Sequence, residues 1–355
     1  MEATSFTGLL AGAISLISII FLKPVAVYVD LLDKADHRKL HKGAIPLIGG
    51  LSAFLGLAIA WLVWMPVVQG YGLFLLCAAL LVIMGAIDDA RDLPAKFRLG
   101  VQVALGAWLT LGSGISLQSL GDLLGFGDIP LGIVGPAVTI AAIIGATNAF
   151  NMIDGIDGLA GSLSLVTLVS LALLFASSPS FRLEFTLCLG ISVALIPFLA
   201  ANLRVPPFRK KIFMGDAGSM FIGFAVVWLL VNGTQPESMA FRPVTALWLI
   251  AVPLMDMVAI MVRRARKGQS VMKPDRDHLH HIFMRAGFTD RQALILITCI
   301  ALGFAMFGLI GEHFQIPEWV MFTAFVAVFA LYDWGLSHAW RLLVVFRKRS
   351  GDRAV

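Results

Sequence analysis

Along the chain, long apolar stretches alternate with short breaks that are polar or rich in Gly and Pro. The apolar runs fall at about 7 to 22, 46 to 65, 71 to 87, 99 to 113, 131 to 147, 159 to 176, 185 to 203, 217 to 232, 243 to 262, 292 to 311 and 318 to 336. Most approach the ~20 apolar residues that one helix needs to cross a hydrocarbon core. The pattern predicts an all-α polytopic membrane bundle of about eleven transmembrane helices, forming a single domain over residues 1 to 355. No internal repeat or long linker divides it. Within the longest polar stretch, 263 to 291, a short helix is expected between Asp277 and Ala286, where neither Gly nor Pro occurs.

The polar breaks decide the orientation. Counted from an N-terminus outside, alternate segments hold all of the 27 Lys and Arg except Arg182 and Arg242. Cytoplasmic loops retain positive charge, and a miscounted span would mix the two sets. The split predicts an outside N-terminus and a cytoplasmic C-terminus. Inward loops then fall at about 23–45, 88–98, 148–158, 204–216 and 263–291, with a tail at 337–355. Before the first run there is Glu2 but no Lys or Arg, so the basic start of a cleavable signal peptide is missing. The first run reads as a retained span.

Composition agrees and excludes other classes. Hydrophobic residues make up 59% of the 355 and charged residues only 14%, against roughly 45 to 50% and about 25% in soluble chains. That excludes a soluble globular protein, and a net charge of +5 spread over so apolar a chain is no nucleic-acid footprint. Cys77, Cys188 and Cys299 lie singly in apolar runs, as small buried hydrophobes rather than disulfides or zinc ligands.

Five polar groups then stand out, because carboxylates near a bilayer are costly unless paired, hydrated or functional. Asp88, Asp89 and Asp92 close the third run, where a cation or Arg91 would let adjacent acids stay ionised. Asn148, Asn151, Asp154 and Asp157 recur every three residues among Gly155, Gly158 and Gly161, as one helix face or as an unwound turn that can meet an anion. Asp216 follows Arg209, Lys210 and Lys211, as a metal ligand beside a polyanion or as a helix N-cap. His278, His280 and His281, with Arg276, suit phosphate recognition as well as metal ligation; a helix would turn His280 away from the other two. Arg38 to Gly50, with His41, Lys42, Pro46, Gly49 and Gly50, is either a binding loop or a plain basic loop before a Gly-softened helix. Asp256, alone inside a run, points by default into the bundle, with structural pairing to an Arg as the alternative.

All five groups fall on the inward side of the eleven-span arrangement, although the charge count used none of the Asp, Asn or His. Carboxylates beside Arg, Lys and His at a membrane face suit phosphoryl or phosphosugar transfer with Mg²⁺. A proton-coupled secondary transporter is the competing class; its coupling acids would lie near the midplane, often in repeated halves. A lipid-binding structural subunit would leave the Asn/Asp/Gly array unexplained.

Together, Asp88-Asp89-Ala90-Arg91-Asp92, Asn148 to Gly161, Phe213 to Met220 and Asp275 to Phe283 resemble the polyprenyl-phosphate N-acetylhexosamine-1-phosphate transferase family over residues ~38 to ~283. The resemblance implies transfer of N-acetylglucosamine 1-phosphate from UDP-N-acetylglucosamine to undecaprenyl phosphate, with release of UMP. It further implies a site on the cytoplasmic face of a bacterial inner membrane, use of Mg²⁺ or Mn²⁺, a role in O-antigen or enterobacterial common antigen synthesis, and room for a homo-oligomer. Carried over residue by residue, it makes Asp216 the metal ligand and sets Asp88 and Asp89 beside the lipid phosphate, one of them proposed as base. Asp154 and Asp157 become the acids near nucleotide and metal. Asn151, Asn148, Lys42, Arg276, His278, His280 and His281 become substrate-binding residues. The interrupted run His278-Leu279-His280-His281, in place of three consecutive His, favours a small N-acetylhexosamine over a muramoyl pentapeptide. Another UDP-N-acetylhexosamine remains the alternative donor.

Overall fold

A computed structural model describes residues 2–34, 43–66, 68–270 and 278–349. All eleven apolar runs lie on helices: α1 (Glu2–Tyr28), α2 (Gly49–Trp64), α3 (Gln69–Arg91), α4 (Ala95–Ser113), α5 (Gly135–Ile153), α6 (Leu159–Phe175), α7 (Arg182–Asn202), α8 (Gly215–Gly233), the pair α9 (Pro243–Leu249) and α10 (Ala251–Arg266), then α12 (Asp290–His313) and α13 (Glu318–Arg349). The expected helix in the long polar stretch is α11 (Leu279–Arg285). Among the described residues, seven helices are long and apolar enough to cross a membrane, or eight if the α9–α10 pair is one span. The chain is thus a polytopic helical membrane protein. Helices α2 and α6 are apolar but shorter.

Two features depart from the expected pattern. The ninth run, 243 to 262, is two helices meeting at 83°. Pro253 explains the break: its ring has no N–H and obstructs the carbonyl four residues earlier. That carbonyl belongs to Leu249, the last residue of α9, and it accepts a hydrogen bond from Thr167 Oγ1 at 2.9 Å instead. The bundle is also not purely helical. Strands β1 (Leu32–Lys34) and β2 (Ala44–Pro46) pair antiparallel, Leu32 opposite Pro46 and Lys34 opposite Ala44.

Helix α8 is the axis of the fold. Every one of its residues except Asp216 is buried, and at ~1.5 Å per residue its 19 residues run about 28 Å. Small residues let neighbouring backbones close on it, the usual basis of helix packing in lipid. A Cβ on Gly85 of α3 would lie 2.5 Å from Ala217 Cα, and one on Gly223 would lie 2.5 Å from the Ala146 carbonyl oxygen of α5. Farther along, Phe74 stacks on Phe224 and Trp228. Cys77 and Cys188 are buried as expected, but Cys299 is exposed on α12, which shows much of its apolar surface outward.

Candidate active site

Asp216, the one opening in the surface of α8, is the second residue of that helix. The cap position is Met214, so the N-cap reading of Asp216 does not hold. Its carboxylate has two partners on different helices. Asn151 Nδ2 of α5 donates to Oδ1 at 2.8 Å, and Arg98 Nη1 of α4 donates to Oδ2 at 3.2 Å. The same Arg98 nitrogen reaches Asp88 Oδ2 at 2.7 Å, while the Leu93 amide takes Asp88 Oδ1 at 2.7 Å. Asp88 is only 4% exposed, and these two donors offset the cost of burying its oxygens.

Asp89 acts on the α8 backbone. Its oxygens accept from the amides of Asp216 at 2.9 Å and Ala217 at 3.3 Å, two of the donors a helix start leaves without internal partners. Gly215 makes the approach possible: its φ is +73°, and a Cβ would lie 2.5 Å from Asp89 Oδ2. Asp92 ends α3 in a left-handed conformation, exposed at the rim.

The fifth motif proves to be scaffold at its described end. The amides of Gly49 and Gly50, opening α2, donate to the carbonyls of Phe213 and Met214 at 2.9 Å, and the Phe213 amide donates to Pro46 O at 2.9 Å. These bonds fix the loop that delivers Asp216. Asn202 ties the same loop to the Asp154–Gly158 turn: its Oδ1 accepts from the Gly158 amide at 2.6 Å and its Nδ2 donates to Ile212 O at 2.8 Å. Asp157 is ion-paired with Lys211.

Helix α5 ends at Ile153, so Asn148 and Asn151 share a helical face, Asp154 caps it, and Asp157 lies in the turn beyond. Asn148 Nδ2 donates to Gln102 Oε1 at 2.8 Å. Burial, then the charges of Asp216 and Asp157, push Asp154 up to about 7. An acid raised in the folded protein loses stability as pH rises from its unfolded value toward the folded one. Without divalent cation, melting temperature is therefore expected to fall between about pH 4 and 7 in part through Asp154. Asp154→Asn should melt higher than wild type at pH 8, with the difference closing near pH 4; an equal gap at both would contradict this assignment.

The histidines also differ from a simple helix reading. His278 precedes α11 with an extended backbone, and its Nδ1 lies 2.8 Å from Asp256 Oδ2. Among the described residues Asp256 pairs with this His. His280, far from turning away, is the most deeply buried of the three and packs against Gly155 of the Asp154–Gly158 turn. Burial first, then His281 and His278, lower its pKa to about 3, so it meets a ligand as a neutral imidazole. Its ring lies 4.2 Å from that of His281. Lys42 and Arg276 lie outside the described residues.

The structure thus brings Asp88, Asp89, Asn151, Asp154, Asp157, Asp216 and the three His to the same end of the bundle. Arg98, Gln102 and Asn202 join them without having been singled out by motif. An apolar cavity of about 350 Å³ runs from Ala149 and Phe150 of α5 toward the opposite end of the bundle, where Leu120, Val231 and Thr234 line it, and none of the polar site residues does. Among the described residues no three His, Cys, Asp or Glu side chains stand ready to hold a metal. The oxygen donors of Asp216 and Asp154 nevertheless suit a hard divalent cation, because Mg²⁺ commonly takes one or two carboxylates and completes its shell with water and substrate phosphate.

Known proteins resemble this chain over most of its length. The glycosyl transferase family 4 model matches residues 71–234. An undecaprenyl-phosphate alpha-N-acetylglucosaminyl 1-phosphate transferase of Yersinia pestis is 46% identical over 93% of this chain and 91% of its own. Proteins of the same name from Escherichia coli O157:H7 and Pasteurella multocida are each 43% identical, over 91% and 92% of this chain and 88% and 91% of theirs. With this identity along nearly the whole fold, and with the acid, Asn and His motifs gathered at one end, the chain belongs to glycosyl transferase family 4, alongside these sugar 1-phosphate transferases.

Proposed function

We propose that this protein transfers N-acetylglucosamine 1-phosphate from UDP-N-acetylglucosamine to undecaprenyl phosphate, yielding undecaprenyl-diphospho-N-acetylglucosamine and UMP. The observation that carries this reading is the Arg98, Asp216 and Asn151 centre, in a chain 46% identical to a relative bearing that name. The polar centre suits two phosphates. The product would open a cell-envelope glycan such as O-antigen.

An oxygen of the lipid phosphate attacks the β-phosphorus of the donor. A new P–O bond forms, the bond from that phosphorus to the bridging oxygen breaks, and the electron pair leaves with UMP. A phosphomonoester with a second pKa of about 6 is already ionised near neutral pH, so little rate can come from a base. The oxygens of Asp88 and Asp89 are occupied by Arg98 and backbone amides, which favours positioning roles for both. Asp216, with Asp154 and Asp157 nearby, would hold Mg²⁺ or Mn²⁺, which when bound would supply charge stabilisation for the transferring phosphoryl group. Asn151 orients Asp216 and, with Asn148, faces the donor. His278, His280 and His281 would meet sugar and diphosphate, and Arg276 and Lys42, outside the described residues, are assigned to substrate binding by the family resemblance alone. Arg98 is the cation best placed to meet charge shifting from Asp216 to phosphate.

Eleven membrane passes, an outer N-terminus and a cytoplasmic site in the inner membrane complete the reading, supported by the Lys and Arg distribution. Inverted membrane vesicles, which expose the cytoplasmic face, are expected to release UMP from added UDP-N-acetylglucosamine, while sealed right-side-out vesicles release none. UDP as product would mean ordinary glycosyl transfer. Neither nucleotide would favour the transporter, and equal UMP release by both vesicle types would overturn the orientation.

A further inference from the structure

We propose that Asp256 and Tyr332 are positioning residues that hold His278 in one ring orientation and one tautomer, which makes the last helix, α13, part of the active-site apparatus. The kinetic consequence rests on the transferase reading; the geometry stands without it.

Asp256 is 1% exposed, in α10. A buried carboxylate is costly unless its lone pairs are met. Here three donors meet it, two from the adjacent residues His278 and Leu279 and one from α13. His278 Nδ1 lies 2.8 Å from Oδ2, the Leu279 amide donates to Oδ1 at 2.9 Å, and Tyr332 Oη donates to Oδ1 at 2.8 Å. A carboxylate accepting this bond requires a hydrogen on Nδ1, and in the neutral ring that leaves Nε2 for a ligand. Which ring nitrogen is protonated is set by the bond the other makes, and here that bond is anchored from a second helix. A neighbouring ion pair, Arg266 with Asp333 at 2.9 Å, also ties α13 to the end of α10.

The consequence extends beyond one ring. His278 lies nearly parallel to His280, with centroids 5.7 Å apart and planes at 6°. His280 in turn abuts Gly155 in the Asp154–Gly158 turn. Loosening His278 would free the stack that rests on that turn. Tyr332 also packs with the apolar clusters around Ile297 and Trp248, so Tyr332→Phe keeps the packing and removes only the hydroxyl.

The test uses the full-length protein in micelles with ¹⁵N-labelled histidine. Wild-type His278 is expected to show a protonated Nδ1 and an unprotonated Nε2; Tyr332→Phe should shift both signals, and Asp256→Asn should lose the tautomer. In turnover assays Tyr332→Phe is expected to lower kcat/KM for UDP-N-acetylglucosamine by ~10-fold, the usual scale for a partner that orients a functional His. In a His278→Gln background the same substitution should have no further effect, since coupled residues are non-additive. Unchanged His278 signals in Tyr332→Phe, or an equal kinetic loss with and without His278, would overturn the proposal. The resonance readout needs no turnover, so a failed transferase reading and a failed clamp remain distinguishable, and Tyr332→Phe decides even if Asp256→Asn does not fold.

Discussion

Replacing Asp216 with Asn is expected to abolish turnover and its Mg²⁺ dependence together, a fall of ~10³-fold or more, because a bound cation stabilises several kcal/mol of developing phosphoryl charge. Folding should survive. Asn keeps one of the two bonds, its single oxygen accepting from either Asn151 or Arg98, and the amides at the start of α8 are held by Asp89, not by this side chain. Asp88→Asn is expected to keep measurable activity, since the attacking phosphate needs no base. Rates with and without Mg²⁺, set beside melting curves, separate chemistry from stability. A fully active Asp216→Asn protein would remove the metal assignment.

Gly50→Ala is expected to cost most of the activity and several degrees of thermal stability. The added Cβ would stand 2.0 Å from Gly218 Cα and 2.2 Å from its nitrogen, contacts with backbone that no rotamer change can relieve. Overpacking of this kind typically costs ~1 to 3 kcal/mol. It falls where Gly49 and Gly50 bond the Asp216 loop, so the displacement is delivered to the site itself. Gly100→Ala is the control, because nothing lies within 4 Å of a Cβ there. Similar melting temperatures and rates for the two variants would show that α2 and α8 can separate without consequence.

The helices were readable because lipid leaves few alternatives: a run of ~20 apolar residues must satisfy its own backbone. The bend at Ile250 had a visible cause in Pro253, but only the three-dimensional path shows that the freed Leu249 carbonyl finds Thr167. The β1–β2 ribbon could not be read, since three residues per strand are too few for alternation to register. In the site, Asp, Asn and His stand out against an apolar chain, and their convergence followed from topology. Arg98 did not stand out, because among basic loop residues it registers only as a topology mark; its value lies in reaching Asp88 and Asp216 with one nitrogen. Asn202 was equally hidden, a single polar residue at the end of an apolar helix whose two partners are distant in sequence. Partners of this kind depend on tertiary geometry, which residue type alone does not encode.

The transferase reading stands on one bond, that between the β-phosphorus and the oxygen bridging to UMP. Purified protein with Mg²⁺, undecaprenyl phosphate and UDP-N-acetylglucosamine labelled at the β-phosphate measures its fate directly. The account predicts that the label moves into the lipid fraction in step with the sugar, one phosphate per sugar, while unlabelled UMP is released. Label retained in UDP while sugar enters the lipid would contradict it.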